Sequence, residues 1–541
     1  MLLSLATGSL CLAIFLQPGA LGSTSGVRAG GIFRISLAPQ NGLDTVDPAL
    51  SFTPPGWALI DTTCAHLMTY PDKPPPAGFR VVPEVAMGFP KVSRDLRTFT
   101  FRLRRGFRFS DGTPVRASAF ARAINRVLAR SMNSPGAVFA HDIVGAAAVL
   151  QGKRRAASGV VARGNTLLVR FTRPAPDFPI LTTLPYFCAV PPTLPTDPGG
   201  VGAFPAAGPY YVAVYRPGER VVLRRNRYYG GKRPHHVDGF DVDLQALDPT
   251  DMVRRIELGE ADWGYNLVGV FLDRALGLEQ KYGINRSRFF LKRGLTLRMF
   301  AFNMARPLFR NNPRLRRAVN FALDRRALQA IAGGSPAGTL TDQYLPPVVP
   351  GFRDAHIYPL EGPDIGRARG LSRGSLRGGK AVLYTPDIPL GVIAAQLAEQ
   401  QLGEIGLEVA IKTIPTHAAS AAYLDLLAAR GERWDLALVL WTPNLPDPSA
   451  YINLLFDAHH IGARKLAGSV ANVYEREMQR AARLVRARER RRAYGALDIR
   501  LARDAAPLAA INVLNEATFV SERVGCIVLR PALDLTAVCL R

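Results

Sequence analysis

The sequence predicts a mixed α/β protein, and three observations carry that prediction. Short runs with a period of two alternate with longer runs at helical spacing, from "GGIFRISL" (Gly30–Leu37) to "LAAINVL" (Leu508–Leu514). The 541 residues are enough for about three or four domains, each with its own core. Hydrophobic content of 48% and charged content of 21% are those of an ordinary globular chain.

The elements follow in order. Residues 2–16, "LLSLATGSLCLAIFL", are apolar and uncharged, and too short for a comfortable membrane span. With the small-x-small triplet Ala20-Leu21-Gly22 they read as a secretory signal peptide over 1–22, although no Lys or Arg precedes the apolar run. A lipoprotein anchor at Cys11 is the less favoured reading, because Leu10 stands where a small residue is expected. Phe33, Ile35 and Leu37 alternate as in a strand. "RTFTFRLRRGFRFSDGTPV" (Arg97–Val115) alternates Phe99, Phe101 and Leu103 and turns at Arg105-Gly106, and Asp111-Gly112 closes the hairpin. Phe120, Ile124 and Leu128 then recur at helical spacing. "NTLLVRF" is a strand, and Gly208–Asn226 reads as two strands around Pro217-Gly218. Asn312-Pro313 caps and opens a helix. "GKAVLYT" and "LEVAIKTI" are strands around a helix, and a helical stretch over Asn472–Arg503 precedes the last strand. In "LALVLWTPNLPDPSAYINLLF" (Leu436–Phe456), an apolar strand ends at Trp441 and a short loop holds Asn444. Asp447-Pro448 then opens a helix, with Asp447 as its cap.

A net charge of +25, nearly all from arginine, raises nucleic acid, an anionic membrane face or an acidic ligand as partners. The basic residues are scattered apart from "RAARLVRARERRR" (Arg480–Arg492), which reads as the solvated face of an amphipathic helix. No nucleic-acid motif accompanies it, and an exported protein rarely meets that substrate. The charge reads as arginine-rich composition that aids contact with the anionic membrane face. Beyond Cys11 four cysteines remain, an even set that in an exported chain suggests two disulfides in one of three pairings. The expected pairs are Cys526–Cys539, which bracket a short excursion, and by elimination Cys64–Cys188.

Several strings in order resemble the peptide/opine/nickel family, family 5 of the extracellular solute-binding proteins that serve ABC importers. They are Val46-Asp47-Pro48 after the first strand, Val82–Leu128, Ala206–Leu244 with its Gly208-Pro209-Tyr210, "LGEADWGY", "NPRLRRAVNFALDR" and "WTPNLPDP". The resemblance implies a hinged two-lobe fold of the periplasmic-binding-protein kind that closes on ligand. It implies a discontinuous first lobe (30–60, 208–300 and 503–541), an inserted domain (61–207) and a second lobe (301–502). It also implies capture of a peptide or other small solute, membrane permease subunits as partners, a monomer, no cofactor, and a location in the periplasm or on the outer face of the membrane.

In peptide-binding members of the family the ligand lies extended beside the second-lobe strand that ends in Trp. Its main chain pairs with the backbone at the strand end, here Leu440–Thr442. An aspartate three residues after the Trp binds the free amine. This chain has Asn444 there, which donates and accepts but carries no charge. The alternatives are that Asp447 restores the acid or that Asn444 serves only the loop backbone. Trp441 is expected to stack on ligand, and Phe52 and Pro54 fall where relatives line the cleft.

The rival class is a secreted hydrolase using the same cleft, but neither G-x-S-x-G nor H-E-x-x-H occurs. A metal- or haem-binding member is the other alternative. His235-His236 and His459-His460 have no third ligand at metal spacing, so no metal site is expected.

Overall fold

The computed structural model describes residues 29–38, 42–264, 275–415, 421–429, 432–443, 445–457, 472–484, 486–530 and 533–541. The first strand, β1 (Ile32–Ser36), buries Phe33 and Ile35 and turns Arg34 outward, as its alternation requires. A loop leads into the helix Pro54–Thr63, capped by the Thr53 hydroxyl, which accepts from Gly56 N. A small ribbon follows, β2 (Met68–Thr69) with β3 (Val82–Pro83).

Next comes a four-stranded antiparallel sheet made of β4 (Lys91–Val92), β5 (Thr98–Arg102), β6 (Val160–Arg163) and β7 (Thr166–Arg170), in the order β4-β5-β7-β6. Phe99 and Phe101 of β5 and Leu167 and Val169 of β7 are buried on its inner face. The helix Ala117–Leu128 adds Phe120, Ile124 and Leu128 to the same core.

The chain then returns to β1. The strands β8 (Tyr210–Arg216), β9 (Arg220–Arg225), β10 (Gly239–Asp243) and β11 (Trp263–Gly264) complete a five-stranded sheet in the order β11-β1-β10-β9-β8. β10 and β11 run parallel to β1 on either side of it.

The last large sheet is six-stranded. Its strands are β12 (Phe289–Phe302), β13 (Gly338–Leu340), β14 (Lys380–Pro386), β15 (Glu408–Ile414), β16 (Leu436–Trp441) and β17 (Leu508–Phe519), in the order β13-β17-β12-β16-β14-β15. Helices cover both faces, and two core clusters form, one on each side. The strands β18 (Val524–Cys526) and β19 (Cys539–Leu540) close the chain as a ribbon.

Both expected disulfides are present. Cys64–Cys188 joins chain positions 124 apart at the two ends of the inserted segment, and Cys526–Cys539 lies within the terminal ribbon.

Two readings of the sequence need correction. The limits at 300/301 and 502/503 do not match the sheets. β12 and β17 pair from Phe289↔Phe519 to Ala301↔Leu508, so one long ribbon passes between the two bodies. Its lower end packs Phe289, Leu291 and Phe519 against Ala38, Met252 and Ile256, beside the five-stranded sheet. Its upper end, from Leu297 to Phe302, lies inside the six-stranded sheet. The strand is continuous across the crossing, where Lys292 and Arg293 are exposed between the two buried ends. The ladder changes register between Arg293 and Leu297. A Cβ on Gly294 would lie 2.4 Å from the Leu514 carbonyl oxygen, so only glycine permits this approach.

The second correction concerns the arginine-rich run. It folds as two helices, Asn472–Ala482 and Ala487–Arg500, and Arg490 is buried rather than solvated. Other arginines also work inside the protein. Arg325 donates to the carbonyls of Ala510 and Asn320, and Arg298 to Asn512 Oδ1 and the Leu328 carbonyl.

Candidate functional site

Two loops meet on the inserted domain, one following β1 and one following β16. The loop after β1 is organised by its own carboxylates. Asp44 accepts from the Phe52 and Thr53 backbone N–H groups at 2.6 and 3.1 Å and from the Ser51 and Thr53 hydroxyls at 3.0 and 2.7 Å. Asp47 is fully buried and receives both ends of the Arg126 guanidinium at 3.0 and 2.7 Å, along with the N–H groups of Ala49 and Val201. Arg126 comes from the helix Ala117–Leu128 of the inserted domain. The Val46-Asp47-Pro48 string thus ties the first strand to that domain. Phe52 is left 56% exposed on this rigid loop, and Pro54, which opens the next helix, is exposed as well.

The loop after β16 is held from inside its own lobe. Asp447 Oδ1 accepts from Ser449 N at 2.9 Å, from the Ser449 hydroxyl at 2.6 Å and from Arg490 at 2.7 Å. Burial pushes the Asp447 carboxyl up, but the Arg490 charge and these hydrogen bonds outweigh it and hold the group below its usual range. The capping role read from the sequence is therefore present. The same contacts remove Asp447 as a free acid for an ammonium group. Arg490 was not legible as its partner, because the two are far apart in the chain and meet only through packing.

Trp441 is half-buried against the second-lobe core, and its indole N–H donates to the Ala450 carbonyl at 2.9 Å. One edge of the ring is therefore fixed by the helix Ser449–Phe456. Leu440 pairs with Arg298 of β12, and the exposed Thr442 hydroxyl lies 3.0 Å from that of Thr296. Asn444 lies outside the described residues.

The edge of β16 supplies the main-chain groups that a peptide needs. β12 pairs with β16 along its whole length, from Leu436 to Trp441. On the other side β14 pairs with it only at Leu436 and Ala437. Among the described residues no strand pairs with that edge over Leu438–Trp441, so its backbone groups can accept an added extended segment.

The two loops share one apolar cluster. Leu445 and Ala450 cross from the second lobe into the core of the inserted domain, where Leu50 and Trp57 of the first loop also pack. Trp57 Nε1 and the Tyr186 hydroxyl both donate to the Ser51 carbonyl at 2.9 Å. Cavities flank the second loop on both sides. One, of about 230 Å³, lies between Leu295 and Pro446 on one wall and Ala58, Tyr70 and Arg530 on the other. The second, of about 310 Å³, lies between Leu445, Ser449 and Asn453 and the inserted-domain residues Phe139, Pro174 and Leu181. Sequence reasoning missed Leu445, Leu295 and Arg530. Leu445, between two prolines of a polar loop, was the one legible hint.

The structure brings Leu440, Trp441 and Thr442 together at one strand end and places Phe52 and Pro54 on the opposing loop. Among the described residues no hydrogen bond or ion pair joins the two groups. His235 Nδ1 donates to the Arg233 carbonyl and the ring packs on Tyr229, a structural setting. His459-His460 lies outside the described residues. Among the described residues no group of three or more His, Cys, Asp or Glu side chains is placed to hold a metal ion.

The family described as bacterial extracellular solute-binding proteins, family 5 Middle, matches residues 80–463. The chain belongs to this family. The family 5 protein is similar to the oligopeptide-binding protein OppA of Bacillus subtilis, 23% identical over 388 residues, which cover 68% of each chain. It is similar to the probable D,D-dipeptide-binding periplasmic protein DdpA of Escherichia coli, 23% identical over 77% of this chain and 76% of that one. Among solved structures, clavulanic acid biosynthesis oligopeptide binding protein 2 superposes with a TM-score of 0.84 at 26% identity, over 95% of this chain and 96% of that one. The fold class expected from the resemblance, two lobes with an inserted domain, is that of these relatives.

Proposed function

We propose that this family 5 protein is the extracytoplasmic substrate-binding component of an ABC importer. It captures a peptide-like solute between its lobes and hands it to membrane permease subunits without chemical turnover. The observation that carries the reading is the edge of β16 at Leu438–Trp441, which no described strand pairs. Relatives named for oligopeptide and dipeptide binding support the peptide class. Leu440 and Thr442 offer main-chain groups, Trp441 an aromatic face, and Phe52 with Pro54 the opposing wall. The solute is enclosed as the lobes rotate about the β12–β17 ribbon, and water leaves the cleft, which strengthens each polar contact.

Exported and working as a monomer, the protein meets its solute outside the cytoplasm. The signal segment and Cys11 lie outside the described residues, and among the described residues no helix is long and apolar enough to cross a membrane.

Asn444 stands where relatives use an acid, and Asp447 is committed to Arg490 and Ser449. The free amine of a peptide is therefore not a required feature of the solute. Mass spectrometry of solute released from protein purified from its native host tests the class, and an intact peptide-like compound is expected. Titration calorimetry with a free and an acetylated form of one peptide tests the amine. Wild type is expected to bind both alike, and Asn444→Asp to prefer the free amine by about tenfold, equivalent to about 1.4 kcal/mol. Strong wild-type preference for the free amine would overturn the role given to Asn444.

A further inference from the structure

The net charge of +25 is not spread evenly in kind. On the helix Ala487–Arg500 and its neighbour, the arginines are interleaved with acids. Arg486 pairs with Glu489, Arg500 with Glu477, and Arg490 with Asp447. The outer face of the four-stranded sheet differs. The pleat sends Phe99, Phe101, Leu167 and Val169 inward, so the alternate positions face out. These carry Lys91, Arg102, Arg163 and Arg170, separated only by Thr98, Thr100, Thr166, Val161 and Leu168. All four cations are exposed, and among the described residues none forms an ion pair or a side-chain hydrogen bond. No acid lies at these outward positions. Asp95, in the β4–β5 turn, is occupied by the Ser93 hydroxyl and the Arg97 N–H.

The same face has an apolar rim. Met87 N donates to the Arg102 carbonyl at 2.8 Å, which sets the methionine beside that arginine, in a groove shared with Arg105 and Thr166. Met87 is 64% exposed, and Phe89, on the segment between Met87 and Lys91, is 63% exposed. An aqueous surface has no use for two large apolar side chains adjoining an array of unpaired cations. An anionic interface suits both, since its headgroups pair with the cations and its acyl boundary takes the apolar tips.

We propose that the outer face of the four-stranded sheet, rimmed by Met87 and Phe89, docks on an anionic phospholipid bilayer. A sheet face that carries four unpaired cations and no acid matches a plane of phosphate headgroups in charge. Docking there would hold the protein at the membrane while leaving the β16 edge and both loops on other elements of the fold. The inference does not depend on which solute the cleft binds.

The test is co-sedimentation of the chain from Ser23 onward, which holds every described element, with vesicles of phosphatidylglycerol and phosphatidylcholine or of phosphatidylcholine alone. Binding is expected only to the anionic vesicles. It should be lost between about 0.1 M and about 1 M salt, as the screening length falls from about 10 Å to about 3 Å. Lys91→Gln with Arg102→Gln, Arg163→Gln and Arg170→Gln should lower the partition at least about tenfold. Met87→Ser with Phe89→Ser should lower it by a smaller factor. Replacing Arg486, Arg488, Arg491 and Arg492 by Gln removes the same charge from the second lobe and should leave most of the binding intact. All substituted side chains are exposed, so an unchanged thermal midpoint checks the fold of each variant. Equal loss in both charge variants would show a non-specific charge effect and overturn the proposal. So would absence of binding to anionic vesicles, the result expected if this face meets an acidic protein instead.

Discussion

The loop after β1 and the loop after β16 face each other, and each is built around a buried carboxylate. In the first, Asp47 takes its arginine from another body, the inserted domain. In the second, Asp447 takes Arg490 from the helix packed behind it in the same lobe. The difference assigns the loops different tasks. The first loop is locked to the inserted domain and moves with it. The second is rigid within its own lobe and reaches the inserted domain only through the apolar contacts of Leu445 and Ala450. Apolar contacts of this kind part and re-form without leaving a charge unpaired, as a closing cleft needs. In neither loop is the buried acid free.

The comparison is broken most severely by Asp47→Ala. It leaves the Arg126 guanidinium buried and unpaired, and a loss of about 3–5 kcal/mol is expected in urea unfolding. The double variant Asp47→Ala, Arg126→Met should recover much of this. A loss no larger than about 1 kcal/mol for the single change would mean that the two bodies are not tied here.

Asp498 sharpens the comparison because, among the described residues, no cation pairs with this buried acid. It accepts from the Tyr344 and Leu345 N–H groups and from Gln343, and burial pushes its carboxyl up to about 7 despite those donors. A raised carboxyl pKa penalises folding wherever the unfolded chain is ionised. This group's contribution is therefore neutral below about pH 4 and turns unfavourable up to about pH 7, by at most about 4 kcal/mol. Asp498→Asn should flatten that part of the pH–stability curve. Asp447 has the opposite sign. Its folded-state pKa is depressed, so its contribution is present above about pH 4 and is lost as pH falls below that. Arg490→Met should remove that acid-side loss and cost about 2–3 kcal/mol at neutral pH.

The smallest expected effect is at Trp441. Trp441→Phe removes one hydrogen bond to Ala450 and should cost about 1 kcal/mol of stability. If the ring stacks on solute, affinity falls by more than stability does, and calorimetry beside urea unfolding separates the two.

Much of the fold was legible because its signals are local. The alternation of Phe99 and Phe101, the helical spacing of Phe120, Ile124 and Leu128, and the cap at Asn312 all lie within a few residues of what they determine. The strand ending at Trp441 and the helix after Asp447 were legible for the same reason. What the sequence hid depends on distant partners. β12 and β17 are single long strands whose division between bodies is decided by what packs on them. Arg490 reads as one of many surface arginines until the fold sets it over Asp447. Asp44 looks like any loop acid, yet it carries the geometry of the wall that bears Phe52. The disulfide pairs were readable because one was local and only two cysteines then remained.

The central claim is that the lobes close on a solute about the β12–β17 ribbon and return it unchanged. Small-angle scattering with and without the solute recovered from the native host tests it most directly. The account predicts a smaller radius of gyration with solute bound, reversal on its removal, and no compaction in Gly294→Val, where the added side chain meets the Leu514 carbonyl. An unchanged radius in wild type at saturating solute would contradict it.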